Sequence, residues 1–383
     1  MSAVAEAGQS SRAQVPAAPK RRRGGLNAGQ GRRAFLLVVP TLVLLTVVIV
    51  YPLIKAIIMS FQKDSGLDKA TGMFVQGGFA GLDNYKHWLL QQCATVGGGT
   101  KPCPPGSLGS QFYDALFVTL FFTVATVSIE IMLGLWFATI MNRTFRGRGL
   151  VRAAILVPWA IPTAVTAKLW LFIFAYAGIA NRLLGVVGIK PVLWTGDTWP
   201  SRFAVVIADV WKTTPFMALL ILAGLQIISA DVYEAAAIDG ASKWQTFTRI
   251  TLPIIRVPLM VAILFRTLDV LRIFDLPFIL TGGGGGSGHA TTTLSILVIA
   301  QIRQGFNSAS ALSTIVFALI AFTAFLFIKF GNADVVQRPP STKRPKGRLT
   351  FGRAKVSAGA VQAAADADTA RHAQATADAQ SGK

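Results

Sequence analysis

Eight charged side chains stand inside stretches of this sequence that are otherwise apolar: Glu130, Lys168, Asp209, Lys212, Arg266, Asp269, Arg272 and Asp275. At a lipid-exposed helix centre each costs about 2.5–3.5 kcal/mol, so such groups turn toward a protein interior or a wet cavity and pair there. Arg266, Asp269, Arg272 and Asp275 recur every three residues with alternating sign, which keeps them near one helix face. The chemistry open to this set is ion pairing, or hydrogen bonding to a solute rich in hydroxyl or phosphate groups. Trp211, together with Trp159, Trp170 and Phe274, supplies flat apolar faces for a ring. The eight charges and Trp211 are therefore candidates to line a substrate path. The alternative is that the charges are inter-helix ion pairs that only fix packing. Catalysis is not expected. No GxxxxGK[ST] loop occurs, so the chain should not hydrolyse ATP itself. His87, His289 and His372 stand apart from one another and from any nucleophile, and no metal cluster is apparent. Gly283–Gly288 satisfies GxGxxG only by being nearly all glycine, and lacks a preceding strand.

Those charges must be positioned by membrane helices. The chain is 52% hydrophobic and 14% charged, against about 25% charged in a soluble domain. Six apolar runs approach or exceed the length that spans hydrocarbon: Ala34–Ile58, Ala115–Met141, Ala153–Tyr176, Phe203–Leu225, Val257–Leu280 and Ala311–Phe330. An all-α, six-helix membrane protein is predicted. Pro158 and Pro162 fall inside the third run, where a kinked or broken helix is expected. Such a break survives in a membrane only against protein or a wet cavity.

The net charge of +20 is unevenly placed. With the N-terminus inside, inner segments hold roughly three times the Lys and Arg of outer ones, which predicts an N-in, C-in topology. The basic balance thus orients the protein and gives no reason to expect nucleic acid; membrane lipid is an expected partner, while for the basic tail contact with anionic headgroups is one reading and a solvated tail the favoured one. Residues 1–33 read as a disordered basic tail, 34–330 as the six-helix domain, and 331–383 as a basic, then Ala-rich tail. The first run is too long for a signal peptide and should be a retained helix. Within the domain, 59–112 is a long outer loop carrying Cys93 and Cys103. An oxidising compartment would permit a disulfide between them; two free thiols is the other reading.

The inner loop 226–256 holds the most patterned polar stretch of the chain, Glu234–Pro253. Asp231 and Glu234 have the spacing of a capping box for a first short helix, with Gly240 as its left-handed stop. Ser242 and Gln245 form a second box, and Pro253 should end the second helix. Three alanines, Ala235–Ala237, keep the first helix thin enough for another protein to approach; an ordinary interfacial hairpin is the bland alternative.

Glu-Ala-Ala, three residues, Gly, nine residues, then Ile-x-Leu-Pro is met by Glu234, Ala235, Ala236, Gly240, Ile250, Leu252 and Pro253. This resembles the EAA loop of permease subunits of bacterial carbohydrate ABC importers, and Asp239 falls within it. The likeness runs from about Arg33 to Phe330. Asp209–Phe216, Phe265–Asp269 and Leu271–Asp275 look like the MalF-like type, above all the first permease of trehalose and maltodextrin importers. The resemblance implies the six-helix importer permease fold and import of a di- or oligosaccharide across the cytoplasmic membrane. It further implies a second homologous permease and an extracytoplasmic sugar-binding (lipo)protein. Two copies of an ABC ATPase would hold ATP and Mg, this chain carrying no cofactor, with the EAA loop as coupling element. The Cys-containing outer insertion, the long tails and the run Gly282–Gly286 depart from that pattern. The rival from another class is a proton-coupled secondary transporter using Glu130, Asp209 or Asp269.

Overall fold

The computed structural model describes residues 30–67, 72–95, 99–284 and 288–330. Residues 1–29, the C-terminal tail 331–383 and Gly285–Ser287 of the glycine run lie outside the described residues, and residues 30–33, expected to belong to the disordered tail, are helical. Four helices are long and apolar enough to cross a membrane: α1 (Phe35–Ser60) and, after a short outer-loop helix α2 (Asp83–Leu89), Gly109–Asn142, Thr198–Leu225 and Phe306–Phe330. Counting each of two bent helix pairs as one span gives up to six spans among the described residues.

The α-helical part of the second span is α3 (Phe112–Asn142). The third span is broken, as its prolines predict: α4 (Arg148–Ala160) and α5 (Thr163–Ile173) meet at 93°. Pro158 is accommodated within α4, and the break falls at Ile161–Pro162. A short helix, α6 (Ile179–Val186), then leads to the fourth span, α7 (Thr198–Leu225).

The inner loop forms α8 (Ala230–Ile238) and a second helical segment, α9 (Lys243–Ile254), which bends by 69° into α10 (Arg256–Val270). The expected continuous span Val257–Leu280 is interrupted in the structure. Helix stops after Val270 and resumes as α11 (Asp275–Thr281). Pro277 has no N–H to give the carbonyl of Ile273, four residues back. The Thr293 hydroxyl donates to that carbonyl instead, at 2.8 Å. The last elements are α12 (Leu294–Ile302) and α13 (Phe306–Phe330), the latter starting five residues before the apolar run that predicted it.

Between membrane helices lipid tails are as apolar as leucine, so close packing drives association. The α3–α7 contact illustrates this. A Cβ on Gly134 would stand 2.8 Å from Met217 Cγ, so glycine there lets the helices touch. Met141, Met217, Ile221 and Ile255 form one buried cluster, and Phe122, Phe174, Val205 and Leu276 belong to another.

The outer loop folds onto this bundle. Three antiparallel ladders of two or three residues per strand pair Gln62–Lys63 with Gly78–Phe79, Gly66–Leu67 with Phe74–Val75, and Gln92–Ala94 with Thr100–Pro102. Asp64 accepts hydrogen bonds from the backbone N–H of Asn307 (2.6 Å) and Ser308 (3.1 Å), placing a carboxylate on the start of α13. The Trp88 indole, fully buried, donates to the Ser308 carbonyl at 3.0 Å. Cys93 and Cys103 are joined as a disulfide.

Candidate functional site

Arg266 is the centre of the intramembrane charges. Its side chain is 3% exposed, and three carboxylates surround it. Nε donates to Glu130 Oε2 at 2.6 Å and Nη2 to Glu130 Oε1 at 2.9 Å, a bidentate fork that only arginine can make. Nη2 also donates to Asp209, and Nη1 to Asp269 Oδ2 at 2.6 Å. Thr213 adds a hydroxyl donor to Glu130 Oε1 at 2.5 Å, and Arg272 reaches to 4.0 Å from Asp269. Glu130 rides on α3, Asp209 and Thr213 on α7, Arg266 and Asp269 on α10, so the cluster ties three spans together. Glu130 and Asp209 are buried, whereas Asp269 and Arg272 are exposed at its rim.

Beside the rim opens a cavity of about 250 Å³, lined by Trp159, Thr213, Phe216, Phe265, Arg266, Asp269 and Arg272. Trp159 and Phe216 stack along one wall with ring centroids 5.8 Å apart. Apolar ring faces opposite charged donors and acceptors can bind a solute with a flat carbon side and a hydroxyl edge.

The other sequence candidates lie elsewhere. Lys212 donates to the carbonyl of Ile161 at 2.7 Å. Pro162 breaks the helix next to that carbonyl, and an ammonium fills the gap. Trp211 meets Trp170 edge to face at 5.8 Å and does not line the cavity. Asp275 occupies the first turn of α11, where a carboxylate suits the helix N-terminus. Lys168 is exposed on α5. Three residues that sequence reasoning passed over, Thr213, Phe216 and Phe265, belong to the site. Phe216 lies five residues after Trp211 in a span already singled out, but which side of α7 faces the cavity is not readable from order alone.

The inner loop has well-defined ends. Gly240 has φ +73°, and behind it Ala241 N–H donates to Ala236 O (2.9 Å) and Gly240 N–H to Ala237 O (3.1 Å). This is the Schellman arrangement, which needs a left-handed residue where glycine is least strained. The second capping box is formed: Gln245 N–H donates to Ser242 Oγ at 3.2 Å, and Ser242 N–H to Gln245 Oε1 at 2.9 Å. The first is not. Ser229 is the N-cap of α8, without a side-chain bond, and Asp231 and Glu234 lie inside the helix. Ser229–Ala230 already offers an extended residue before the helix, so it starts two residues earlier than the acidic pattern implies. Pro253 does not end α9 either. A π turn at Phe247–Thr251 absorbs the missing donor, and the chain bends only at Ile255. Ala236 is buried, while Glu234, Ala235, Asp239, Gly240 and Pro253 are exposed and Ile250 and Leu252 half-buried. Ile238 and Trp244 stand 86% and 72% exposed, an apolar pair left uncovered by the described residues.

His87 is not isolated, as the sequence suggested. Its Nδ1 lies 3.8 Å from Cys93 Sγ and 3.9 Å from Cys103 Sγ, and within 2.9 Å of the Gln92 carbonyl. Burial pushes its imidazole pKa below the usual range, partly opposed by that carbonyl. With the sulfurs joined, neither offers a thiolate to a metal.

Comparison with known proteins agrees with this architecture. Residues 130–336 match the family model described as binding-protein-dependent transport system inner membrane component. The chain is 38% identical over 305 residues to the trehalose/maltose transport system permease protein MalF of Thermococcus litoralis, covering 79% of this chain and 95% of that one. It is 37% identical over 321 residues to the trehalose transport system permease protein SugA of Mycobacterium tuberculosis, covering 83% and 95%. Its fold is that of a chain in a bacterial ABC transporter involved in the import of the acidic polysaccharide alginate, at TM-score 0.63 and 20% identity over 80% of this chain and 96% of that one. Nothing in these likenesses supports a proton-coupled secondary transporter. A match over more than half its length, carrying the broken third span and the Glu234–Pro253 motif, means that the chain belongs to the binding-protein-dependent transport system inner membrane components: it is a multi-pass, non-catalytic permease subunit of an ABC importer.

Proposed function

We propose that this permease carries a di- or oligosaccharide of the trehalose or maltodextrin class across the cytoplasmic membrane, driven by ATP hydrolysed in partner subunits. The observation that carries the reading is the placement of the inner loop. α8 follows directly from α7, and α9 bends into α10, and these are the helices whose Asp209 and Arg266 meet in the buried cluster. A load on the exposed Ile238–Trp244 surface therefore acts on both helices that wall the cavity. One ATPase copy grips this loop from the cytoplasm, in the N-in, C-in topology that the Lys and Arg bias supports. A second, homologous permease completes the path and receives the other ATPase copy, and an extracytoplasmic binding protein delivers the sugar. The relatives' names support the sugar class. Trp159 and Phe216 offer the face on which a sugar ring stacks, and Asp269 and Arg272 the groups for its hydroxyls.

The test is purification of the chain from its native membrane in mild detergent, followed by mass spectrometry and reconstitution. A P-loop ATPase and a second six-span permease should accompany it, and trehalose or a maltodextrin with the binding protein should stimulate ATP hydrolysis. Glu234→Lys should abolish that stimulation while the chain still inserts. A chain that purifies alone and moves solute on a proton gradient overturns the reading.

A further inference from the structure

Lys168 is an intramembrane charge that the Arg266 cluster does not use. Among the described residues no hydrogen bond or ion pair reaches it. Val165, Lys168, Leu169 and Phe172 recur at i, i+3, i+4 and i+7 on α5 and are all exposed, so they form one stripe. The opposite side, with Thr166 and Ala167, is buried. With Ile173 and Ile179 the stripe lines a groove of about 410 Å³, five apolar side chains and one ammonium.

The helix next to the groove indicates its occupant. α6 exposes Ile179, Leu183 and Val186 on one side, with Arg182 and, past its end, Lys190 also exposed. A short helix with an uncovered apolar stripe and flanking cations lies in the headgroup–acyl boundary. α6 leads into the start of α7, the end away from the inner loop, and so marks the membrane surface there. Lys168 stands five residues before the end of α5, about 7.5 Å of helix from it. From that position a lysine stem lies along apolar surface and lifts its ammonium to the phosphates. A bare ammonium in that position is costly, and a zwitterionic headgroup offsets its charge less well than an anionic one.

We propose that the α5–α6 groove is a binding site for an anionic phospholipid, with an acyl chain along Val165, Leu169, Phe172 and Ile179 and the phosphodiester on Lys168. The lipid packs against the detached half of the broken third span, joining α5 to α6 from outside. The site rests on the membrane fold and is independent of which sugar is carried.

The experiment uses the whole importer, purified with its partner subunits and stripped of lipid. Native mass spectrometry then reads the retention of phosphatidylglycerol against phosphatidylcholine. Wild type should prefer the anionic lipid, Lys168→Ala should lose about fivefold of that preference, and Lys168→Arg should keep it. A photo-crosslinker in place of Leu169 in the native membrane should capture phospholipid. Equal retention of the two lipids, or an unchanged preference in Lys168→Ala, overturns the site. Capture of the second permease by the crosslinker also overturns it, by making the groove a protein interface.

Discussion

The inner loop and the Arg266 cluster lie at different levels of the same two helices, and they are built by opposite rules. The ends of the loop's helices are set by bonds that span at most five residues, Ser242 with Gln245 and Ala241 with Ala236, and one longer link joins Tyr233 to Thr251 at 3.3 Å. Its most exposed apolar side chains, Ile238 and Trp244, face outward. The cluster is held by contacts that span 57 and 136 residues, and its central charges, Glu130, Asp209 and Arg266, face inward. Local geometry suffices where a partner supplies the burial. Where the chain must bury its own charges, three helices have to arrive together. The loop is thus a pre-shaped contact and the cluster a structural knot beside a cavity.

The substitution that tests this contrast hardest is Arg266→Gln. It leaves Glu130 and Asp209 buried without their cation, a change worth about 3–5 kcal/mol where one member of a buried pair is removed. The expected outcome is loss of most folded permease, read as detergent-resistant protein in membranes and as collapse of transport. Normal folding with only altered substrate KM would show the cluster to be part of the binding surface rather than the knot. Next in size is Gly240→Val. A β-branched residue at φ +73° costs roughly 1–2 kcal/mol, or about five- to thirty-fold in population of the loop's conformation. Sugar-stimulated ATPase should fall by that factor while the protein level holds. Smallest is Ser242→Ala, which removes one cap bond worth about 1 kcal/mol. It should weaken coupling only severalfold, and an effect as large as that of Gly240→Val would mean that Ser242 also touches the partner.

How much of this is legible in the residues alone differs by region for physical reasons. The left-handed stop at Gly240 and the Ser242–Gln245 box follow from residue types a few positions apart, and both form. The Asp231–Glu234 box has the same spacing and does not form, because the helix begins at Ser229 and leaves Asp231 in its first turn. The Pro162 break is readable from proline's missing donor. The second break is equally encoded in Pro277, but a hydropathy window averages across it.

Which charges belong together lies beyond the linear order. Lys168, Lys212 and Arg266 read alike in sequence, each a cation in an apolar run. In the fold Arg266 gathers three carboxylates, Lys212 fills the gap at a broken helix, and Lys168 stands exposed in the groove between α5 and α6. Residue order is enough to specify a six-span membrane helix bundle with a shaped polar loop, because apolar length, charge bias and capping act over short ranges. The identity of the knot, the walls of the cavity and the placing of His87 against the disulfide are settled in three dimensions. Those depend on helix rotation and on contacts between residues far apart in the chain, which side-chain type alone does not set.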